Sequence, residues 1–377
     1  MAKRVILAVA GAGKTYHICH EINPQKRNLI VAFTHENIKN IQKELLAEYG
    51  EVPEKTRIMT FDSFVYHMLI RPYEASIFDF FDEHYNFIKT DITLQKPPAQ
   101  RIKVNGRDVP NKKYKKKENL GHYLNDNQQY YCETLSELAV YVKNGSDSLI
   151  RKAAERINKF FDQVMIDEFQ DFRKYDYELI VGLSKFLTDV LLVGDYYQHS
   201  VSGQNNSGKP FKKGKAEVSY EDFIEELRKN KFDVDETSLI QSRRCSEEIC
   251  LFVRNKLGIQ ISSANINQGM ILRPDNVRTV IEDKDVVKLV YDKAARYSFK
   301  AVNWSYSKGD TYNKACVILN GITKNLMENN FSASKLKAGT LNKLYVALTR
   351  SKGDLYIILP AEFDEVKDQY LKDGLRS

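Results

Sequence analysis

The chain has 377 residues, 42% hydrophobic and 28% charged. That length suits two or three domains of ordinary size, and the composition excludes a disordered, collagen-like or fibrous polymer. The net charge of +7 fits a polyanionic partner without specifying one.

No apolar stretch nears the roughly 18 residues that span a bilayer, and the first seven residues lead into a glycine loop rather than a cleavage site, so a cytoplasmic protein with no membrane partner is expected. Cys19, Cys132, Cys245, Cys250 and Cys316 form no C-x-x-C pair and are odd in number, which predicts reduced core thiols rather than a disulfide framework or a zinc site. The charge is unevenly placed. Residues 101–117 hold eight basic side chains against Asp108, a net +7 in one short segment.

In chain order, an apolar run at 5–9 reads as a strand, 10–13 as a small flexible loop, and a helix begins near Lys14 with Ile18 and Ile22 on one face. A second apolar run at 29–33 precedes a helical pattern with Ile38, Ile41 and Leu45, closed by Gly50 as its C′ residue. This β-α-β-α opening predicts a parallel sheet with helices on both faces. From 73 to 149 the text changes to aromatic-rich pieces, Pro97-Pro98, the basic run, and a helix presenting Leu135, Leu138, Ala139 and Val142. It reads as a mainly helical, basic insertion into a first domain formed by 1–72 and 150–230. Buried-strand patterns resume at 164–166 and 190–193, residues 202–215 read as a loop and hinge, and 231–377 form a second α/β domain.

Ala8-Val9-Ala10-Gly11-Ala12-Gly13-Lys14-Thr15 has the form of a phosphate-binding loop, with Ala8 where the general pattern has its first glycine. Small residues let the backbone N–H groups of Ala10, Gly11, Ala12 and Gly13 curl around phosphate oxygens at a helix N-terminus. Lys14 reaches the β- and γ-phosphates in such a loop, and the Thr15 hydroxyl ligates Mg²⁺. Met165-Ile166-Asp167-Glu168 supplies the second half: Asp167 for Mg²⁺ and Glu168 to orient and deprotonate a water. Alone, such a pair is commonly a solvated strand end; with the Lys14 loop it makes an NTP-hydrolysing site.

The residues beyond this pair narrow the class. Asp167-Glu168-Phe169-Gln170-Asp171 and Val193-Gly194-Asp195-Tyr196-Tyr197-Gln198-His199-Ser200 resemble the D-E-x-Q-D and V-G-D-x-x-Q-S-I motifs of superfamily 1 helicases of the UvrD/Rep type. In the same order, Ala32-Phe33-Thr34 is similar to motif Ia, Thr60-Phe61-Asp62-Ser63-Phe64 to T-x-H-S-F, and Leu239-Ile240-Gln241-Ser242-Arg243-Arg244-Cys245 to L-x-x-N-Y-R-S. Lys308-Gly309-Asp310-Thr311-Tyr312 is similar to K-G-L-E-F, and Tyr345-Val346-Ala347-Leu348-Thr349-Arg350 to Y-V-A-x-T-R.

The resemblance implies two RecA-like P-loop NTPase domains with parallel sheets, ATP and Mg²⁺ as cofactors, and DNA, single-stranded or tailed duplex, as partner. It implies nucleotide contacts for Gln170, Gly309 and Thr311, a coupling role for Gln198, and arginine fingers at Arg244 and Arg350. Arg243 is read as an ordinary ion-pair residue. Thr34, Thr60, Ser63 and Lys308 are candidates for nucleic-acid phosphate contacts. Phe64, Tyr196, Tyr197 and Trp304 either stack on unpaired bases or pack in the core. Lys112, Lys113, Lys115, Lys116 and Lys117 either bind phosphate without sequence preference or form a solvated loop.

Three departures from the pattern shape the expectation. The seven residues before Ala8 leave no room for the upstream glutamine with which relatives read adenine. Only 62 residues separate Arg244 from Ser307, far fewer than the family's large insertion there. Beyond Leu359 a short helical tail is too small for a nuclease, so any nuclease is a separate partner. The expected activity is an ATP-dependent DNA helicase or single-strand translocase, 3′ to 5′. The alternative is a nucleic-acid-stimulated regulatory NTPase of a multiprotein system such as phage defence, without strand separation.

Overall fold

Asn28–Ala32 is buried along its whole length, as an apolar strand must be when helices cover both faces of its sheet. It lies parallel to Thr56–Thr60 on one side and to Gln163–Ile166 on the other, with Ala32 opposite Thr60 and Val31 opposite Ile166. Gln163–Ile166 in turn pairs in parallel with Asp189–Gly194. The order of this six-stranded sheet is Asp233–Leu239, Ala2–Ala8, Asp189–Gly194, Gln163–Ile166, Asn28–Ala32, Thr56–Thr60. The computed structural model describes residues 2–86, 90–144, 147–199, 208–214 and 216–372. The hinge expected over 202–215 falls largely outside the described residues.

The described residues divide into two compact units: 2–5, 15–192 and 208–233 in the first, and 6–14, 193–199 and 234–372 in the second. In the first unit, helix Lys14–Glu21 buries Ile18 and Cys19, and His35–Tyr49 buries Ile41 and Leu45. Thr34 caps the latter by accepting from the Asn37 N–H, and Gly50 ends it at φ 76°, where only a residue without a Cβ sits without strain. Helix Leu149–Phe160 buries Leu149, Ala153, Ala154 and Ile157, a stripe at three- and four-residue spacing.

The second unit holds a parallel sheet in the order Ile271–Leu272, Leu355–Ile358, Lys314–Ile318, Val286–Val290, Ala301–Asn303. Val280, Ile281, Val290, Cys316, Ile358 and Phe363 form one of its apolar clusters. Trp304 is fully buried and donates its indole N–H to the Leu289 carbonyl at 3.0 Å. All five cysteines are buried and unbridged. Among the described residues no helix is long and apolar enough to cross a membrane.

The segment 73–149 differs from the expected mainly helical insertion. Helices Glu74–Phe80 and Leu135–Tyr141 frame a parallel pair, Asp91–Thr93 with Gln129–Tyr131, and an antiparallel hairpin, Arg101–Val104 with Arg107–Pro110. The hairpin turns at Asn105 and Gly106, both at positive φ (50° and 77°), the geometry that a two-residue turn needs to match strand twist. Its strands are mostly exposed on both faces. The lysines at 112, 113 and 115–117 occupy the exposed loop after it. That loop is tied back where His122 Nδ1 meets the Lys115 carbonyl at 2.8 Å and His122 Nε2 meets Glu137 at 3.3 Å.

The hydrogen bond to Glu137 raises the pKa of His122, and burial opposes it. Burial pushes Glu137 up, but hydrogen bonds from His122 and Tyr175 outweigh it and leave that carboxyl lowered. A histidine with a raised folded pKa contributes its stability below its unfolded value of about 6.5 and loses it as pH climbs through the raised value. Amide exchange over 115–122, corrected for intrinsic rates, is therefore expected to speed up as pH rises from 6 to 8. In His122→Gln that protection should be low at both ends of the range.

Candidate nucleotide site

In the first unit the decisive contact joins residues 152 apart in sequence: the Thr15 hydroxyl donates to Asp167 Oδ2 at 2.9 Å. Helix Lys14–Glu21 presents Thr15 in its first turn, and Asp167 comes directly after strand Gln163–Ile166. Asp167 is fully buried, and its other oxygen accepts the Glu168 N–H at 2.8 Å. Glu168 stands at φ 56°, the left-handed region, which costs a non-glycine residue about 1–3 kcal/mol. The chain bends there from strand into the 3-10 turn Phe169–Asp171, and the Gln170 amide donates to the Glu168 carboxylate. A hydroxyl and a carboxylate held together, with a second carboxylate beside them, are oxygen donors suited to a hard divalent cation such as Mg²⁺.

Other candidates leave the same sheet edge. Thr34 lies just beyond strand Asn28–Ala32, and its hydroxyl caps the next helix. Thr60 ends strand Thr56–Thr60, accepts the Ser63 N–H at 3.2 Å and donates to the Ser63 hydroxyl at 2.8 Å. Phe64, expected as a base-stacking option, is fully buried and packs on Phe61, so its ring has no free face. Asp62, where the resembling motif has histidine, accepts from Arg173 Nη2 at 2.6 Å. Arg173 also reaches Asp176 at 3.1 Å and donates to the Cys132 carbonyl at 2.8 Å, a junction the sequence did not announce.

In the second unit, Ala10 and Ala12 are buried, while Gly11, Gly13 and Lys14 are half-buried. Gly11 has φ 75° and lies against the 242–244 segment: a Cβ there would come within 2.6 Å of Arg244 Cβ and 2.8 Å of Ser242 Oγ. Its carbonyl accepts the Arg243 N–H at 2.9 Å. Arg244 donates through Nη1 to the Thr349 carbonyl at 3.2 Å.

Arg350 is almost fully buried. Its Nε donates to Val346 O at 2.9 Å and its Nη1 to Asp310 O at 3.2 Å, while among the described residues Nη2 has no hydrogen-bond partner. An unpartnered, buried guanidinium nitrogen is costly and calls for an anion. Burial, then the nearby Arg244, brings its pKa down to about 9, so it remains charged at neutral pH.

Gln198 donates to Asp195 Oδ2 at 2.7 Å, and both are buried. Tyr196 is buried against Tyr197, with ring centroids 5.0 Å apart, and Tyr197 keeps partial exposure. Trp304 is a correction: its place in the core and its bond to Leu289 remove it as a stacking platform. Lys308 is half-buried after the Trp304–Ser307 turn, Gly309 is exposed at φ 94°, and Thr311 is exposed. Tyr345, part of the Y-V-A-x-T-R-like motif but not a candidate on sequence grounds, accepts the Ala10 N–H at 2.7 Å.

A parallel sheet, a glycine loop opening into a helix, and a strand end whose aspartate meets the threonine of that helix define a P-loop nucleotide-binding class. The AAA_19 family, described as AAA domain, matches residues 2–204, and the chain belongs to that family. It is 27% identical over 234 residues to a probable DNA helicase II homolog of Mycoplasma genitalium, a match covering 52% of this chain and 33% of that protein. Among solved structures it is similar to an Arterivirus nonstructural protein 10 (helicase) in complex with DNA, at 12% identity and TM-score 0.44, covering 95% of this chain and 61% of the other. The Arterivirus helicase crystallised as such gives 12% identity and TM-score 0.43, covering 97% and 62%. The chain thus spans about a third of the curated relative and three fifths of these solved chains.

Two outcomes are expected from this geometry. Gly11→Ala forces both a Cβ clash and an unfavourable φ, so pyrophosphate or nucleotide binding measured by calorimetry should fall at least about tenfold, with a melting point lower by the equivalent of about 1–3 kcal/mol. An anion on Arg350 Nη2 raises that arginine's pKa, so binding takes up a proton once the free protein is above about 9. Compared with Arg350→Met, which shares the ligand's own titration, the wild type should therefore lose pyrophosphate affinity more steeply above pH 9, by up to about tenfold per unit.

Proposed function

We propose that the chain is an ATP-driven motor on DNA, a superfamily 1 helicase or single-strand translocase of the UvrD/Rep type moving 3′ to 5′. The observation that carries the reading is the 2.9 Å bond from Thr15 to Asp167, which brings together, from distant parts of the sequence, the hydroxyl and the carboxylate that would hold the magnesium of a nucleotide site. In this reading the loop amides of 10–13 and Lys14 bind the phosphates. Thr15 and Asp167 hold Mg²⁺, which when bound neutralises phosphate charge. Glu168 accepts the proton of the attacking water, with Gln170 on its carboxylate fixing its orientation. Arg350, buried with a free N–H edge, and Arg244 neutralise charge on the transferring phosphoryl group.

The DNA side rests on placement. The Thr34 and Thr60 segments, the latter with Ser63, leave the same edge of the parallel sheet as Asp167, which supports a path along that edge linked to the hydrolytic residues. The exposed lysines at 112, 113 and 115–117 add a sequence-independent phosphate grip. The second reading, a DNA-stimulated regulatory NTPase without strand separation, draws on the 62-residue interval after Arg244.

ATPase rates with and without single-stranded DNA test the core of this. Stimulation by DNA is expected in the wild type, and Lys14→Ala should lower the rate on the order of 10² or more. A 3′-tailed duplex then separates the readings: strand displacement supports the helicase, and stimulation without displacement supports the regulator. A rate indifferent to DNA overturns the motor. Neutralising the five lysines should weaken DNA binding and shallow its log–log salt slope by about 0.7 for each phosphate no longer neutralised.

A further inference from the structure

The helix Ala338–Leu348 lies in the second unit together with the glycine loop and the 193–199 turn, and Tyr345 stands on its buried face. Its hydroxyl makes one hydrogen bond in each direction. It accepts the Ala10 N–H at 2.7 Å and donates to Asp195 Oδ2 at 3.2 Å. That same carboxylate oxygen accepts the Gln198 amide at 2.7 Å, and Asp195 Oδ1 accepts the Tyr197 N–H at 3.0 Å. Tyr345 is fully buried, so the bonds at its hydroxyl are protein bonds. Burial, then Asp195, holds the phenol well above its ordinary pKa, which keeps the proton needed for the bond to Asp195.

Amides of a phosphate loop are the donors that phosphate oxygens use. Here one of them is committed to a side chain whose other bond ends on the turn bearing Gln198. One turn earlier on the helix, Asn342 Nδ2 donates to the His199 carbonyl at 3.0 Å, so the helix holds the 195–199 turn at two points on one face. A small shift of Ala10 therefore changes the hydroxyl's geometry and, through the shared oxygen of Asp195, the constraint on the Gln198 amide.

We infer that Tyr345 is a positioning residue whose hydroxyl transmits the state of the phosphate loop to the Asp195–Gln198 turn. The inference rests on the ATPase reading and adds to it a specific joint. It differs from simple core packing, which Tyr345→Phe would preserve.

A double-mutant cycle reads the joint. Affinity for fluorescent mant-AMP-PNP with Mg²⁺ is measured in the wild type, Tyr345→Phe, Gln198→Ala and the double variant, with melting points as folding controls. The joint predicts that loss of the hydroxyl already releases Gln198, so the double variant departs from the product of the single effects by about fivefold or more. Effects that multiply within twofold overturn it. Should Tyr345→Phe fail to fold, Tyr345→Met, which keeps an apolar side chain of similar reach without the hydroxyl, takes its place in the cycle with the same two outcomes. DNA-stimulated ATPase on the wild type keeps the two claims apart. Stimulation with a multiplicative cycle ends the joint and leaves the motor; no stimulation with a coupled cycle ends the motor and leaves the joint.

Discussion

Parallel register in the first unit is the constraint on which the rest depends. Strand Asn28–Ala32 is buried throughout and flanked in parallel by Thr56–Thr60 and Gln163–Ile166, so the residues after each strand leave at one edge. A one-residue slip would exchange the faces of a strand, and with helices packed on the sheet such a slip disrupts the core. Register therefore fixes where Asp167 stands, and only with Asp167 in place can the Thr15 hydroxyl reach it at 2.9 Å. The strained φ of Glu168 belongs to the same arrangement: the chain must turn sharply after the strand, and the Gln170 and Asp167 contacts hold it there. Strain is tolerated where the surroundings over-determine the geometry.

In the second unit a different limit applies, that of close approach. The loop passes so near Ser242 and Arg244 that position 11 has no room for a side chain. One helix end then gathers the basic groups: the Thr349 carbonyl holds Arg244, and Arg350 reaches the carbonyls of Val346 and Asp310. Backbone carbonyls orient the Arg350 guanidinium without neutralising it, and among the described residues its Nη2 edge is left unsatisfied. A carboxylate in that place would have satisfied Arg350 Nη2, whereas carbonyls alone leave it open.

Much of this was legible as periodicity. Ile18 and Ile22, Ile41 and Leu45, and the Leu135, Leu138, Ala139, Val142 stripe are buried as their spacing requires, and Gly50 ends its helix in the left-handed conformation. The glycine loop and the Asp-Glu strand end were legible because their chemistry is local in sequence. The basic segment was misjudged: charge drew the reading, while Asn105-Gly106 between Ile102, Val104 and Val109 carried a hairpin signal. Composition alone could not sort the aromatics, since whether Trp304 or Phe64 has a free face depends on tertiary neighbours. Tyr345 was beyond reach for a similar reason, its partner Ala10 lying 335 residues away.

Asp62 shows how a departure from a motif is resolved by another residue. A carboxylate where the resembling pattern has an imidazole places negative charge at a half-buried position, beside the fully buried Asp176. Two such groups need a cation, and Arg173, two residues beyond the 167–171 motif, bonds to both and to the Cys132 carbonyl. Burial lowers the pKa of Arg173, but Asp176 and Asp62 outweigh it, so the guanidinium stays charged and the junction ionic. Ser136 completes it by donating to Asp176 at 2.6 Å. The 60–64 turn, the segment after the 167–171 motif and the 132–136 stretch thus meet on one side chain. With Arg173 removed, Asp176 would be left buried without a cation, an arrangement far less favourable than either ion pair intact. The substitution at 62 and the arginine at 173 are therefore a single structural feature written in two places, and neither is interpretable alone.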